Sequence, residues 1–123
     1  LVEDEAPLRV GTARLLEEQG YTVLTASDGL DALEVFAREA STIDLVVTDV
    51  AMPRMRGDEL ARRLADDAPD MRVIFMSGYD SGAAPLTGRL LAKPVSAEIL
   101  LRTIREVLDD QDTSREDQRS CHR

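Results

Sequence analysis

Five short apolar runs recur along this chain with helix-period segments between most of them, and no other feature narrows the possible folds as much. "LV" at Leu1 and Val2, "YTVLTA" at residues 21–26, "IDLVVTD" at 43–49, "RVIFMS" at 72–77 and "RLLA" at 89–92 read as strands. The runs at 43–49, 72–77 and 89–92, rich in Val, Ile and Leu, suit strands covered on both faces, and the run at 21–26 is β-branched. Helical spacing marks residues 7–19, where Pro7 suits a first turn and Gly20 a stop, and residues 28–40, where Leu33, Phe36 and Ala40 share a face. It marks residues 58–68 as well, where Leu60 pairs with Leu64 ahead of Pro69. In residues 96–108, Ile99, Leu100, Thr103, Ile104, Val107 and Leu108 form a stripe behind Ser96 as N-cap. This βαβα order predicts an α/β fold: a doubly wound five-stranded parallel sheet with helices on both faces.

One link is shorter than the rest. Only eleven residues separate Ser77 from Arg89, and Gly78, Gly82, Pro85 and Gly88 are among them. A crossover between parallel strands needs about ten to twelve residues. The fourth helix in the order is therefore expected to be short or absent.

The 123 residues are enough for one core and too few for two. Residues 1–108 form the expected domain, and the polar, aperiodic stretch 109–123 is expected to be a disordered tail. No apolar run approaches the eighteen or so residues that would cross a bilayer. The opening "LVEDEA" has neither the basic segment nor the apolar stretch of a secretory signal, and it starts inside a strand without Met, so the chain reads as a piece of a longer protein. The net charge of −9 argues against nucleic-acid binding by the domain itself. A single cysteine, Cys121, excludes an internal disulfide and fits a reducing, cytoplasmic compartment. With His122 as the only histidine, a Cys/His zinc site is not expected.

In an open parallel sheet, ligands collect beyond the carboxyl ends of the strands. Those ends carry Glu3 and Asp4, then Asp49, then Ser77, then Lys93, the only lysine among 15 basic residues. Each has an ordinary reading when taken singly: Asp4 as a helix cap, Asp49 as a loop acid, Ser77 as a turn former, Lys93 as a solvated cation. Together on one rim they need another account. Carboxylates about 4 Å apart repel by roughly 4 kcal/mol per pair at an effective dielectric near 20. Raised pKa values or a bound cation must offset this, and an all-oxygen set suits Mg²⁺. A lysine opposite is a compact point charge able to reach a phosphoryl oxygen.

"VEDE", "DLVVTDVAMPRMRGDEL", "VIFMSGY" and "LLAKP" together resemble the receiver domain of two-component response regulators, over residues 1–108. The resemblance implies a flavodoxin-like sheet of strand order 2-1-3-4-5. It implies that Asp49 is the phosphoacceptor, taking a phosphoryl group from a phosphohistidine on a histidine kinase or phosphotransfer protein. Asp4 would hold Mg²⁺ directly and Glu3 through water, with the backbone carbonyl of Ala51 as a further ligand. Ser77 would bond to the phosphoryl group, Lys93 would pair with it, and Met52, Pro53 and Gly57 would shape the intervening loop. Such a domain is a signalling switch that assists its own phosphorylation and dephosphorylation, not an enzyme acting on other substrates. The C-terminal receiver of a hybrid histidine kinase is favoured over a free-standing regulator, and a homodimer is left open.

The chain departs from the family at Leu90, three positions before the lysine, where receivers usually carry an aromatic. Coupling from Ser77 would then be lost or run through packing alone. Arg54 and Arg56 add two cations after Asp49; they could draw a phosphodonor, but a solvated loop is the stronger reading. The second reading of the whole chain is a degenerate receiver that docks proteins without phosphorylation. A Mg²⁺-dependent enzyme ranks third, because such sites commonly show a second acid two residues after the first, and Asp49 is followed by Val50 and Ala51.

Overall fold

The computed structural model describes residues 1–78 and 88–121, of which 111–121 are described as backbone only. Three parallel strands form the named sheet: β1 (Leu45–Asp49), β2 (Arg72–Ser77) and β3 (Arg89–Ala92), in that order. In their register Asp49 lies opposite Met76, and Ser77 opposite Ala92. Beyond β1, Val2 makes parallel bridges to Thr48 on one side and to Ala26 on the other. The lateral order is therefore Ala26, Val2, β1, β2, β3, which is the predicted 2-1-3-4-5 with its first two members reduced to bridges.

The segment of Leu1 and Val2 joins its neighbours through backbone hydrogen bonds. Its bonds are Val2 N to Val47 O at 2.8 Å, Asp49 N to Val2 O at 3.1 Å, Ala26 N to Leu1 O at 2.9 Å and Glu3 N to Ala26 O at 3.0 Å. Leu1 N also donates to Leu24 O at 2.9 Å, so the run predicted over 21–26 meets the sheet at Leu24 and Ala26. A cavity of about 660 Å³, lined by Leu1, Val23, Phe36, Ile43 and Leu45 among others, lies beside that segment.

Among the described residues four α-helices cover the sheet: α1 (Ala6–Glu18), α2 (Gly29–Glu39), α3 (Gly57–Asp67) and α4 (Ala97–Cys121). Pro7 sits in the first turn of α1. Asp28 caps α2 by accepting from Asp31 N at 2.9 Å, and Ser96 caps α4 by accepting from Ile99 N at 3.1 Å. Alternate strand residues serve opposite faces. Val46, Val73 and Phe75 pack with Ala32 and Phe36 of α2 and Leu60 and Leu64 of α3, while Val47, Ile74 and Met76 pack with Leu16 of α1 and Leu100, Ile104 and Val107 of α4. Full burial of such side chains stabilises by about 1.5–3 kcal/mol each, which makes the two layers, rather than any single pair, the source of the fold.

The apolar stripe of α4 ends at Leu108 as read, but the helix does not. Helical backbone continues to Cys121 where a disordered tail was expected. No Gly or Pro interrupts residues 109–121, and an Arg105 Nη2 to Asp109 Oδ1 bond of 3.0 Å spans the junction. The expected shortening of a helix after Ser77 concerns residues 79–87, outside the described residues. Among the described residues no helix is long and apolar enough to cross a membrane.

Candidate functional site

The strand ends do converge. β1 delivers Asp49 to the rim with its side chain only 1% exposed. Beyond it, Val50 N continues the ladder to Met76 O at 3.0 Å, and the chain then returns so that Gly57 N reaches Val50 O at 2.7 Å. A Cβ on Gly57 would lie 2.0 Å from Asp49 O, so only glycine lets α3 begin against that carbonyl. From its other neighbour, the buried hydroxyl of Thr48 donates to the same Asp49 O at 2.9 Å. The peptide after the carboxylate is therefore held by a hydrogen bond and by close packing.

Glu3 follows the Val2 bridge and is buried, whereas Asp4 is exposed. Arg9 of α1 donates through Nη1 to Glu3 O at 2.8 Å, and Glu5 N donates to Glu3 Oε2 at 3.2 Å. One carboxyl oxygen each from Glu3, Asp4 and Asp49 falls within 4.8 Å of the others. Lys93 follows β3, its amide donating to Ser77 O at 2.9 Å and its peptide to Pro94 being cis. Its Nζ stands 2.6 Å from Asp49 Oδ1 and 3.7 Å from Glu3 Oε1.

These contacts set the protonation states. Burial first, then the neighbouring Glu3 carboxyl, pushes Asp49 up to about 8 against the opposing pull of Lys93. Burial also works against ionised Glu3, but its contact with the Asp49 carboxyl, the hydrogen bond from the Glu5 amide and the charge of Lys93 outweigh it and leave Glu3 below the usual carboxylate range. Burial would lower Lys93, yet its close charge contact with Asp49, then Glu3 and Asp4, raises it, so it stays an ammonium. The metal-free site thus holds one proton on Asp49, beside an ionised Glu3.

Both carboxyl oxygens of Asp49 are buried, and among the described residues neither has a hydrogen-bond partner. The Lys93 ammonium, 2.6 Å from Oδ1, is a charge contact and not a filled set of hydrogen bonds. Buried polar atoms without partners are rare and costly. Two open oxygens on Asp49, with Glu3 and Asp4 beside them, are an all-oxygen donor set that fits a hard cation such as Mg²⁺.

The other predicted residues are on the same rim. Ser77 ends β2 and donates through Oγ to Gly78 O at 2.9 Å. Ala51 is exposed at the start of the loop that follows Val50. Leu90, opposite Phe75 on β3, is 51% exposed, so the packing route expected there has little surface to work through. The sequence reading undervalued one pair. Arg54, read as part of a solvated loop, donates through Nε to Asp28 Oδ2 at 2.7 Å and through Nη2 to the same oxygen. Asp28 opens the helical stretch read over residues 28–40, but nothing in its neighbourhood along the chain announces a partner 26 residues away.

Residues 1–105 match the family described as response regulator receiver domain. The chain belongs to that family. This receiver domain is 42% identical over 118 residues to the sensor kinase CckA of Brucella abortus (strain 2308), covering 91% of this chain and 12% of that protein. It is 33% identical over 114 residues to the response regulator receiver protein CpdR of the same strain, covering 88% of this chain and 93% of CpdR. Among solved structures, the receiver domain from the hybrid histidine kinase CckA superposes with a TM-score of 0.77 at 37% identity, covering 87% of this chain and 94% of that one. A receiver domain protein from Clostridium thermocellum superposes at 0.80 with 30% identity, covering 91% and 94%. The receiver domain therefore has the flavodoxin-like fold expected of it and serves two-component signalling.

Proposed function

We propose that this receiver domain is the phosphoacceptor of a two-component relay, taking a phosphoryl group onto Asp49 from a phosphohistidine of a histidine kinase or phosphotransfer protein. The observation that carries this reading is the state of Asp49: buried, with both oxygens open, an ammonium 2.6 Å away and two more carboxyl groups within reach. Glu3, Asp4, Asp49 and the carbonyl of Ala51 would hold Mg²⁺, which when bound offsets negative charge on the phosphoryl oxygens.

The residues divide the work of transfer. Asp49 gives up its proton and one carboxylate oxygen attacks phosphorus in line with the departing imidazole nitrogen. The P–N bond breaks, its electron pair and a proton go to the imidazole, and Asp49 carries an acyl phosphate. Lys93 is already charged and passes from the carboxylate to a phosphoryl oxygen without a proton step. Ser77 turns its hydroxyl from Gly78 O to a second phosphoryl oxygen. Attack by water on phosphorus restores Asp49 and resets the domain, so the chain is a switch rather than an enzyme with substrates of its own.

Residues 1–108 would be the functional unit, working in the cytoplasm. The 42% identity to a sensor kinase favours the receiver of a hybrid histidine kinase over a free-standing regulator. Intact-mass measurement after incubation with a small acyl phosphate and Mg²⁺ tests the reading: one added phosphoryl group is expected on the parent and none on Asp49→Asn. The half-exposed Leu90 favours a second reading, a docking module that binds a partner without phosphorylation. Absence of any adduct on the parent, from acyl phosphate or from a phosphorylated kinase, would support that reading instead.

A further inference from the structure

Arg54 is the one non-glycine residue with positive φ, 67°, among the described residues. A long side chain in this left-handed region is disfavoured, and such outliers persist where surrounding contacts enforce them. The enforcing contact is Asp28. Its side chain is 7% exposed; Oδ1 is taken by the Asp31 amide at 2.9 Å, and Oδ2 accepts both Nε and Nη2 of Arg54. The adjacent residues pack together too. Met55 is buried, and a Cβ on Gly29 would come within 2.7 Å of Met55 Cβ. Residues 54 and 55 of the loop after Asp49 are thereby docked on residues 28 and 29 at the start of α2.

The same loop is anchored at its base by Val50 N to Met76 O and Gly57 N to Val50 O. Residues 51–53 span the gap between an anchor on the sheet and an anchor on α2. We propose that Arg54 is a positioning residue: its clamp on Asp28 fixes this span, and with it the backbone after Asp49, beside the Glu3, Asp4 and Asp49 carboxyls that would hold Mg²⁺. The clamp rests on the phosphoacceptor reading above and adds to it a residue outside the acid, hydroxyl and lysine set. It also gives Arg54 a task other than attracting a phosphodonor, since its guanidinium is committed to Asp28.

Two substitutions separate the clamp from ordinary structure. Asp28→Asn keeps the helix cap, because Asn caps as well as Asp, but removes the charge that holds Arg54. Arg54→Gly removes the guanidinium and relieves the positive φ. Mg²⁺ dissociation constants from calorimetric titration of the full chain, metal-free thermal midpoints, and phosphoryl incorporation at saturating Mg²⁺ are to be compared. Both variants are expected to bind Mg²⁺ about tenfold more weakly, as loss of an outer-sphere partner does, with midpoints close to the parent and incorporation restored at saturating Mg²⁺. Arg54→Lys, which keeps the charge without the fork, is expected to fall between. Unchanged Mg²⁺ affinity in both variants, or a loss in Arg54→Gly alone, overturns the clamp while leaving the phosphoacceptor reading intact. A parent chain that binds no Mg²⁺ overturns that reading and the clamp with it.

Discussion

Lys93 Nζ lies 2.6 Å from Asp49 Oδ1, closing a contact between the last strand and the central one across the mouth of the sheet. The lysine is brought there by its own amide, bonded to Ser77 O, and the carboxylate by the ladder that runs through Val2 and Met76. Because Glu3 Oε1 is 3.7 Å from the same ammonium, one flexible cation serves two acids. A phosphoryl group on Asp49 would inherit a charge partner already in place.

Substituting Lys93→Arg keeps the positive charge but replaces a compact ammonium with a planar fork. The space between Asp49 and Glu3 is set by contacts of 2.6 and 3.7 Å to a single nitrogen. Phosphoryl incorporation is expected to slow by at least about tenfold, equivalent to about 1.4 kcal/mol of transition-state stabilisation. A time course by intact mass checks this, and parent-like kinetics would remove the role assigned to Lys93.

The raised Asp49 pKa gives metal-free stability a defined pH dependence. The unfolded carboxyl loses its proton near 3.8, whereas the folded one keeps it to about 8. Between those values the folded state binds more protons, so stability contributed by Asp49 is present below 3.8 and is lost as pH rises through about 8. Glu3, shifted down, acts oppositely: its contribution is present above its unfolded pKa and is lost on acidification. Urea midpoints of the metal-free parent should therefore fall from pH 5 to pH 8, and Asp49→Asn should abolish most of that fall. Since Mg²⁺ competes with the proton on Asp49, the stabilisation it confers should grow over the same interval. Parallel profiles of the parent and Asp49→Asn would show that Asp49 is ionised throughout, since the Leu1 amine, lowered to about 6 by burial, adds the same opposite slope to both.

Gly57→Ala places a methyl group 2.0 Å from Asp49 O, a backbone atom that cannot swing aside. Overpacking of this kind costs about 1–3 kcal/mol, and the displaced peptide is the one that carries Asp49. Lower thermal midpoint and weaker Mg²⁺ binding are both expected, measured by calorimetry with and without metal. Full retention of both would mean that the start of α3 can shift without disturbing the site.

Thr48→Val preserves shape while deleting the hydroxyl that donates to Asp49 O at 2.9 Å. The lost bond in a buried position is expected to cost about 1–2 kcal/mol, read as a lower urea midpoint. A neutral outcome would assign the placement of that peptide to Gly57 packing alone.

The site was legible because its residues sit where the strands end, and strand ends follow from apolar runs. "LVVTD" stops at Asp49 and "RVIFMS" at Ser77, and the parallel register puts them on one rim. The α2 and α3 faces were legible for the same reason, since Phe36, Leu60 and Leu64 keep helical spacing. Three features were not. Residues 21–26 have strand composition, but their bonds to the sheet are confined to Leu24 and Ala26, which meet Leu1, Val2 and Glu3. The helix beyond Leu108 has no apolar period, so only backbone continuity and local charge pairs mark it. The Arg54 clamp joins residues 26 positions apart through side chains with no periodic signature.

The most direct test is intact-mass measurement of the parent chain and of Asp49→Asn after incubation with a small acyl phosphate, each with Mg²⁺ and with a chelator. One phosphoryl group on the parent with Mg²⁺, little or none with chelator and none on Asp49→Asn is the expected result. A parent that stays unmodified under every condition, including exposure to a phosphorylated histidine kinase, or an Asp49→Asn variant that is modified equally, would contradict Asp49 as the phosphoacceptor.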